Sequence, residues 1–321
     1  MAVHPHPIVD MSGMVLDRDC WRAYLGGFAE YAPDYFRLFG QRLAITAGID
    51  PRDFAAASKD PAAALDLLLA SPAFDFDLDA YVARLAEEGV RHQVLHSSMR
   101  PLPDGRMVSD RIAEFAARHP DRLQAWGSVN LADPDAAIAE VRRCVLELGM
   151  RGVSVTHFLD VADPLSEGAH EFYRTVSELG VPLWMHTGHN LSTRVPMNWC
   201  TWRELDEIAR RHPDLVVIAG HGGWPWVLEM MTLCQRHRNV YLEFSTHRPR
   251  HMARPGSGWE PLLLHGASTV RNKILFGGIE WVHGMTTGAL AAEVSALALD
   301  ERTKCAWLHG NGARLLNLDP S

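Results

Sequence analysis

The stretch LVVIAGHGGWPW, residues 215–226, joins an apolar run to a histidine and two glycines. The apolar run predicts a strand that is covered on both faces, as in a parallel sheet. Gly222 and Gly223 predict a tight turn after it, because glycine adopts left-handed backbone angles without steric cost. The turn would hold His221 at the carboxyl end of the strand, where backbone or a ligand can approach closely.

Further apolar runs of this kind recur along the chain. Counted with the first, the predicted strands cover residues 7–11, 90–96, 123–129, 152–157, 181–186, 215–221, 239–244 and 273–278. Segments with helical spacing lie between most of them, at residues 109–119, 133–149, 167–180 and 201–212. Eight strands that alternate with helices predict a (β/α)8 TIM barrel rather than an open sheet.

Residues 15–88 interrupt this alternation. They contain an aromatic-rich segment, WRAYLGGFAEYAPDYFRLFGQRL at 21–43, and a helical pattern, DPAAALDLLLASP at 60–72. We interpret residues 15–88 as a helical insertion after the first strand that covers one mouth of the barrel. Length alone would allow two average domains, but the alternation predicts a single domain over residues 1–321.

The composition narrows the class of protein. A hydrophobic content of 47% and a charged content of 22% are ordinary for a globular protein. The net charge of −8 argues against a nucleic-acid or anionic-membrane partner. No apolar run approaches the ~20 residues of a membrane span, and the N-terminus lacks the features of a signal peptide. The five cysteines are scattered without a CxxC pair, which favours reduced thiols in a cytoplasmic protein.

Histidines mark the candidate site. The chain has 17 of them, and four predicted strands end in one, at His96, His157, His186 and His221. In a TIM barrel the chemistry lies at the carboxyl ends of the strands. An imidazole there can bind a metal or transfer protons near neutral pH.

Several longer sequence motifs resemble those of a known family. They are LGMRGVSV (148–155), LGVPLWMHTG (179–188), HPDLVVIAGHGGWPWVLEM (212–230), NVYLEFS (239–245), NKILFGG (272–278) and HGNGARLLNLD (309–319). In order and spacing, residues 123–319 resemble the amidohydrolase-related family, in the branch of ACMS decarboxylase-like and γ-resorcylate decarboxylase-like proteins. The resemblance implies the barrel of the metal-dependent hydrolases.

The resemblance also implies roles for two histidines and a divalent metal, with zinc as the expected ion. His186 matches the metal ligand after the fifth strand. His221 matches the histidine after the sixth strand, a general base that contacts the metal-bound water. A divalent ion makes such a water more acidic, so that an imidazole can accept its proton.

The chain departs from the family at the other ligand positions. The family's first strand ends in Asp-x-His-x-His, whereas this chain has Asp10 followed by Ser12 and Met14, which are poor ligands for a divalent ion. The family's eighth strand ends in Gly-Ser-Asp, whereas this chain has Ile279 at the Asp position and Glu280 next to it.

A rebuilt site is therefore one expectation. In it His157, His186 and Glu280 bind the metal, with His96 or His247 nearby, and His221 and Glu280 are the catalytic acid–base groups. His4 and His6, in VHPHP, are an alternative source of the missing histidine pair. The other expectation is an intact barrel that has lost its metal site.

Two classes of function follow. The first is a metal-dependent hydrolase or non-oxidative decarboxylase that acts on a small carboxylated molecule, with Arg100, Arg248 or Arg250 binding the carboxylate. The second is a non-catalytic or structural-zinc subunit that pairs with a metal-competent paralogue, as in some oxygen-activating complexes that resemble this family. A metal-free enzyme lies between them. We expect a homo-oligomer or a hetero-oligomer with a same-family subunit.

Overall fold

The computed structural model describes residues 5–14 and 17–318. Eight parallel strands follow one another in sequence order, each paired with the next. They are β1 Ile8–Gly13, β2 Val90–His96, β3 Leu123–Ser128, β4 Val153–Val155, β5 Leu183–His186, β6 Val217–Gly220, β7 Val240–Phe244 and β8 Ile274–Phe276. The predicted TIM barrel is confirmed, and every predicted strand overlaps an observed one.

Helices surround the barrel and extend the chain between its strands. They are α1 Arg18–Tyr31, α2 Pro33–Thr46, α3 Pro51–Ala57, α4 Pro61–Leu69, α5 Leu78–Glu87, α6 Val108–Arg118, α7 Pro134–Leu146, α8 His157–Asp160, α9 Glu167–Glu178, α10 Trp202–Arg211, α11 Val227–Arg236, α12 Pro249–Met252, α13 Glu280–His283, α14 Thr287–Ser295, α15 Glu301–Cys305 and α16 Asn311–Leu315. The four segments with helical spacing correspond to α6, α7, α9 and α10.

Alternate residues of the strands face the barrel interior, because a strand has a two-residue period. The interior side chains form one hydrophobic cluster: Val9, Met11, Val94, Trp126, Trp184, Ile218 and Leu275, with Leu316 and the partly buried Tyr241. The same period brings the residue two positions further along to the carboxyl mouth. Side chains that reach the mouth in this way include His96, Ser128, His186 and Glu243.

Hydrogen bonds of one carboxylate link β1 to β8. Asp10 is fully buried and accepts from the backbone N–H of Gly278 at 2.8 Å. It also accepts from Gln93 Nε2 at 2.9 Å and from Thr287 Oγ1 at 3.1 Å. The Ile279 N–H donates to the carbonyl of Ser12 at 3.2 Å. A side chain therefore closes the barrel where its first and last strands meet.

The helices α1–α4 and the short turn Pro72–Phe74 form a cap, and we use that name for residues 18–74. Their apolar side chains pack in a hydrophobic cluster of their own, which also takes in Phe158 and Val195 from the loops after β4 and β5. Helix α5 differs, because Leu78 and Leu85 pack into the barrel core. The segment 15–88 contains both the cap and α5, and its origin as an insertion stays a prediction; residues 15–16 lie outside the described residues.

Two expectations from composition bear on the fold. All five cysteines are free; Cys305 is exposed and the other four are buried. Within residues 5–14 and 17–318, no helix combines the length and apolar character that crossing a membrane requires.

Candidate active site

A cavity of about 440 Å³ lies between the cap and the carboxyl mouth of the barrel. Its polar side chains come from the barrel and include Ser12, His96, Ser128, His186, His221 and His247. Its apolar side chains come mainly from the cap and the loops: Tyr24, Phe28, Tyr35, Phe39, Phe158, Trp224 and Trp281. The cavity is therefore lined by both aromatic rings and imidazoles, and two of the rings, Phe158 and Trp224, lie against imidazoles.

Trp281 anchors two of the aromatic rings of the cavity. Its ring meets Phe39 edge-on at 4.8 Å and Tyr24 edge-on at 5.7 Å between ring centroids. Edge-to-face contacts of this kind fix ring orientation. The barrel loop that follows β8 is thus held against α1 and α2, and the rings form a rigid wall.

A left-handed turn places His221 over the mouth. The φ angles of His221, Gly222 and Gly223 are 65°, 72° and 70°. A Cβ added at Gly222 would lie 2.5 Å from the ring of Trp259, and one at Gly223 would lie 2.7 Å from Cε of Met230. The glycines are therefore required by the turn and by close packing behind it.

Two residues hold His221: Glu243 in β7, and Ser245, which directly follows that strand. Nδ1 of His221 lies 2.7 Å from Ser245 Oγ, and that hydroxyl donates to Glu243 Oε2 at 3.1 Å. Because the hydroxyl proton goes to the carboxylate, the serine oxygen accepts from Nδ1–H. Nε2 of His221 is then left as an acceptor. We call Glu243, Ser245 and His221 the buried triad.

Glu243 is fully buried and its hydrogen-bond donors are neutral groups. Oε2 also accepts from Trp184 Nε1 and from the backbone N–H of His221, both at 3.2 Å. Oε1 is buried and makes no hydrogen bond with another residue that the structure describes. Burial raises the pKa of Glu243 to about 7, and the hydrogen bonds oppose that rise.

Burial favours the uncharged form of three imidazoles at the mouth. Burial lowers the pKa of His186 to about 3 and that of His96 to about 4. Burial also lowers the pKa of His221 well below its ordinary value, and the neighbouring His186 adds to this effect. The rings of His186 and His221 meet edge-on at 5.1 Å between centroids.

The structure does not bring His157 into the cavity. Strand β4 ends at Val155, and His157 begins the short helix α8. Its side chain is fully buried, with Nε2 at 3.3 Å from the hydroxyl of Tyr173 in α9. His157 therefore faces the helix layer, and it is not among the residues that line the cavity.

Glu280 also lies away from the two mouth histidines. Its carboxylate binds Arg84 of α5 through both oxygens, at 2.9 and 2.8 Å, and accepts from the Thr287 N–H at 2.7 Å. Ile279 has a left-handed φ of 42°, and the chain turns there. Ile279 and Trp281 line the cavity whereas Glu280 does not. The ligand and acid–base roles expected for Glu280 thus do not match the contacts it makes.

Of the three arginines predicted to bind the carboxylate, one lines the cavity and two do not. Arg248 and Arg250 both pair with Glu293 and do not line the cavity. Arg100 lines the cavity and pairs with Glu30. Arg42, which the sequence did not single out, lines the cavity and makes no ion pair with another described residue.

The structure describes only one residue of the alternative histidine pair. His4 lies outside the described residues. His6 precedes β1, and its Nε2 lies 2.9 Å from Glu301 Oε2, at the start of α15.

The described residues do not fit a divalent metal. Ser12 holds one lost ligand position, and Met14 Sδ, at the other, accepts from Trp281 Nε1 at 3.4 Å. His186 Nδ1 and Glu243 Oε1 are buried and make no hydrogen bond with another described residue, but a catalytic zinc site usually has three protein ligands. Across residues 5–14 and 17–318, no group of three or more His, Cys, Asp or Glu side chains is arranged to hold a metal ion.

Sequence reasoning missed Glu243 and Ser245. The signal was present in NVYLEFS, because Tyr241, Glu243 and Ser245 share one face of a strand with a two-residue period. A carboxylate in an otherwise apolar strand at the mouth end marks a functional position.

Comparison with known proteins agrees with the fold. The chain is 29% identical over 184 residues to the γ-resorcylate decarboxylase of Rhizobium radiobacter, an alignment that covers 49% of this chain and 55% of that protein. The chain thus spans about half the length of this curated relative.

Two solved structures resemble the whole barrel. An uncharacterised TIM-barrel protein of Bordetella bronchiseptica superposes with a TM-score of 0.68 at 20% identity, over 97% of this chain and 98% of that one. The 5-carboxyvanillate decarboxylase of Novosphingobium aromaticivorans, solved with bound manganese, superposes with a TM-score of 0.66 at 16% identity, over 98% of each chain. Manganese in that protein gives no support for zinc as the specific ion here.

The amidohydrolase family is matched over residues 103–318, about two-thirds of the chain. The match includes β3–β8, the histidines of β5 and β6, and the phrase NVYLEFS that carries the two newly found residues. It confirms the resemblance seen in the sequence. The chain belongs to the amidohydrolase family.

Proposed function

We propose that this chain is a non-oxidative decarboxylase of a small hydroxylated aromatic carboxylate. The observation that carries the proposal is the cavity itself, which is lined by aromatic rings and imidazoles and in which one imidazole, His221, is fixed with an acceptor nitrogen. The names of the decarboxylases to which the chain is similar support the same class of substrate.

The aromatic rings of the cavity favour a flat substrate ring. Phe39, Tyr24 and Trp281 are fixed against one another by edge-on contacts, so they offer preformed faces and edges to a substrate ring. A cavity of about 440 Å³ falls in the usual range for small-molecule sites, about 300–1,000 Å³. Arg42 supplies positive charge that attracts a carboxylate toward the cavity, whereas the charge of Arg100 is paired with Glu30.

The buried triad supplies the proton chemistry. Nε2 of His221 accepts the proton of a phenolic hydroxyl next to the carboxylate, and the imidazolium then gives that proton to the ring carbon that bears the carboxylate. The carbon–carbon bond breaks, its electron pair returns to the ring, and CO₂ leaves. The phenolate product takes up one proton from water. Glu243, linked through Ser245, stabilises the transient imidazolium by its negative charge.

The decisive experiment is a substrate panel on the purified chain. We expect CO₂ release from 2,6-dihydroxybenzoate, 2-hydroxybenzoate or 5-carboxyvanillate, and none from benzoate, which lacks the hydroxyl. In D₂O the product should carry one deuterium at the carbon that held the carboxylate. A well-folded chain that releases no CO₂ from any member of the panel would contradict the proposal.

The alternative of a non-catalytic subunit has only the loss of the β1 and β8 ligands in its favour. The fixed imidazole and the enclosed cavity favour an enzyme, so we do not adopt the alternative. Assembly with itself or with a same-family subunit stays a prediction, to be checked by light scattering of the purified chain.

A further inference from the structure

Two residues, Met14 at one ligand position of β1 and Glu280 beside the ligand position of β8, are engaged in other contacts. Met14 accepts from the indole of Trp281, and the carboxylate of Glu280 binds Arg84 and Thr287. Turning either side chain toward a metal ion would require breaking these contacts rather than a small rotation about a side-chain bond. The loss of ligands is therefore built into the packing around the cavity.

An indole fills the space between the mouth histidines. Trp184 lies one period below His186 on β5, and its ring lies 5.2 Å from that of His96 and 5.0 Å from that of His221, between centroids. A Cβ added at Gly220 would overlap this ring. The sixth strand thus carries glycine at the position where the indole of the fifth strand requires space.

A buried carboxylate lies beside that indole. Trp184 Nε1 donates to Glu243 Oε2, the atom that also accepts from Ser245. An isolated carboxylate is costly to bury, yet the donors that hold Glu243 are all neutral. The carboxylate therefore has no cationic partner among these donors. Ser245 links it to Nδ1 of His221, the ring on which a positive charge forms during proton transfer.

We infer that this site works without a bound divalent ion, and that the buried triad supplies both the proton-accepting nitrogen and the carboxylate that stabilises its protonated form. The inference deepens the proposed function and rests on it. Ser245 and Glu243 act as positioning residues: they fix the orientation and tautomer of His221 and stabilise its protonated form. The indole of Trp184 keeps the triad dry on its barrel side.

The first test measures metal. The full chain is purified without added metal or chelator and analysed for its elements, and Mn²⁺ and Zn²⁺ are titrated into it by calorimetry. We expect well below one ion per chain and no stoichiometric binding of either ion. About one ion per chain, lost in His186→Ala, would overturn the inference.

The second test observes His221 directly and does not depend on turnover. In ¹⁵N-histidine-labelled protein the His221 signals are assigned as those lost in His221→Asn. We expect a protonated Nδ1 and a bare Nε2. Ser245→Ala should abolish the hydrogen-bonded Nδ1–H signal, whereas Ser128→Ala, another hydroxyl deletion at the same cavity, should leave it in place. A shift of the His221 and His186 signals with equimolar Zn²⁺ would overturn the inference.

The two proposals fail in different ways. Turnover of the aromatic panel that appears only when Mn²⁺ or Zn²⁺ is added would support the decarboxylase and overturn metal independence. A metal-free chain with the expected His221 signals but no turnover would instead remove the proposed function. Turnover that is unchanged after dialysis against a chelator supports both.

Discussion

Gly220 of β6 faces the indole of Trp184 on β5 so closely that no Cβ fits between them. The backbone of Gly220 is extended, with φ −69° and ψ 142°, so the strand itself would accept any residue there. The glycine is required by the neighbouring ring and not by its own conformation.

Gly220→Ala should therefore destabilise the protein by about 1–3 kcal/mol, the usual effect of overpacking a well-packed core. Urea unfolding followed by tryptophan fluorescence would measure the loss. Gly26→Ala is the matched control, because Gly26 lies within α1 with nothing near its Cβ position, and alanine there should stabilise by roughly 0.5–1 kcal/mol. Equal stability of Gly220→Ala and the native protein would mean that the indole is not fixed.

His221→Asn should lower kcat for decarboxylation by about 10²- to 10⁴-fold, the range for loss of a general acid–base group. Asparagine is the right replacement because it tolerates the left-handed backbone at this position better than most residues. His247→Asn is the companion variant, since His247 also lines the cavity but lies outside the triad. A loss of similar size in both variants would show that the triad has no special role.

Ser245→Ala should lower kcat by about tenfold with KM little changed, because it removes one hydrogen bond that orients His221. Glu243→Gln keeps an acceptor oxygen but removes the charge, so its effect on kcat should be at least as large. Steady-state kinetics on the best panel substrate would measure both. A rise in KM with unchanged kcat in either variant would assign these residues to substrate binding instead.

Asp160→Asn tests a buried carboxyl away from the cavity. Burial raises the pKa of Asp160 to about 8, opposed only by the hydrogen bond from the Leu131 N–H. The folded state therefore keeps a proton that the unfolded chain releases near pH 4. Its contribution to stability is complete below pH 4 and is lost as pH rises through about 8.

Between pH 4 and pH 9 the native protein should thus lose stability relative to Asp160→Asn, whatever the difference at pH 4. Urea unfolding of both proteins across this range measures the effect. Parallel stability curves would mean that Asp160 is ionised in the folded state at neutral pH.

Glu280→Gln should lower the stability of the fold and leave the rate of catalysis largely unchanged. The carboxylate makes paired hydrogen bonds to Arg84, and hydrogen bonds to charged groups contribute about 1.5–3 kcal/mol before allowance for their partial exposure. We therefore expect the free energy of unfolding to fall by less than about 1.5 kcal/mol. A fall in kcat as large as that of His221→Asn would instead return Glu280 to the site.

The fold was open to prediction because its signals are local. Apolar runs, helical spacing and glycine turns each depend on a few neighbouring residues, and all eight strands followed from them. The extent of the cap was less accessible, since α5 resembles the cap helices in sequence and differs only in packing Leu78 and Leu85 against the barrel.

The site was predicted only in part. His186 and His221 line the cavity, as expected for histidines that end strands in recognisable motifs, and their roles stay predictions. The positions of Glu280 and His157 were predicted wrongly because the local backbone decides where each side chain points. The left-handed backbone at Ile279 turns Glu280 away from the cavity, and β4 ends before it reaches His157. Glu243 was missed because a single carboxylate in an apolar strand carries no motif, although its register with Tyr241 fixes the face on which it lies.

The separation of the cap cluster from the barrel interior has a consequence for how this protein can evolve. Side chains of α1 and α2 contact the cavity from a core that does not include Trp184, Glu243 or His221. Mutations there can alter which ring is admitted while leaving the proton-transfer groups in register. Substrate selectivity can therefore diverge between descendants of this protein while the residues that transfer the proton stay unchanged.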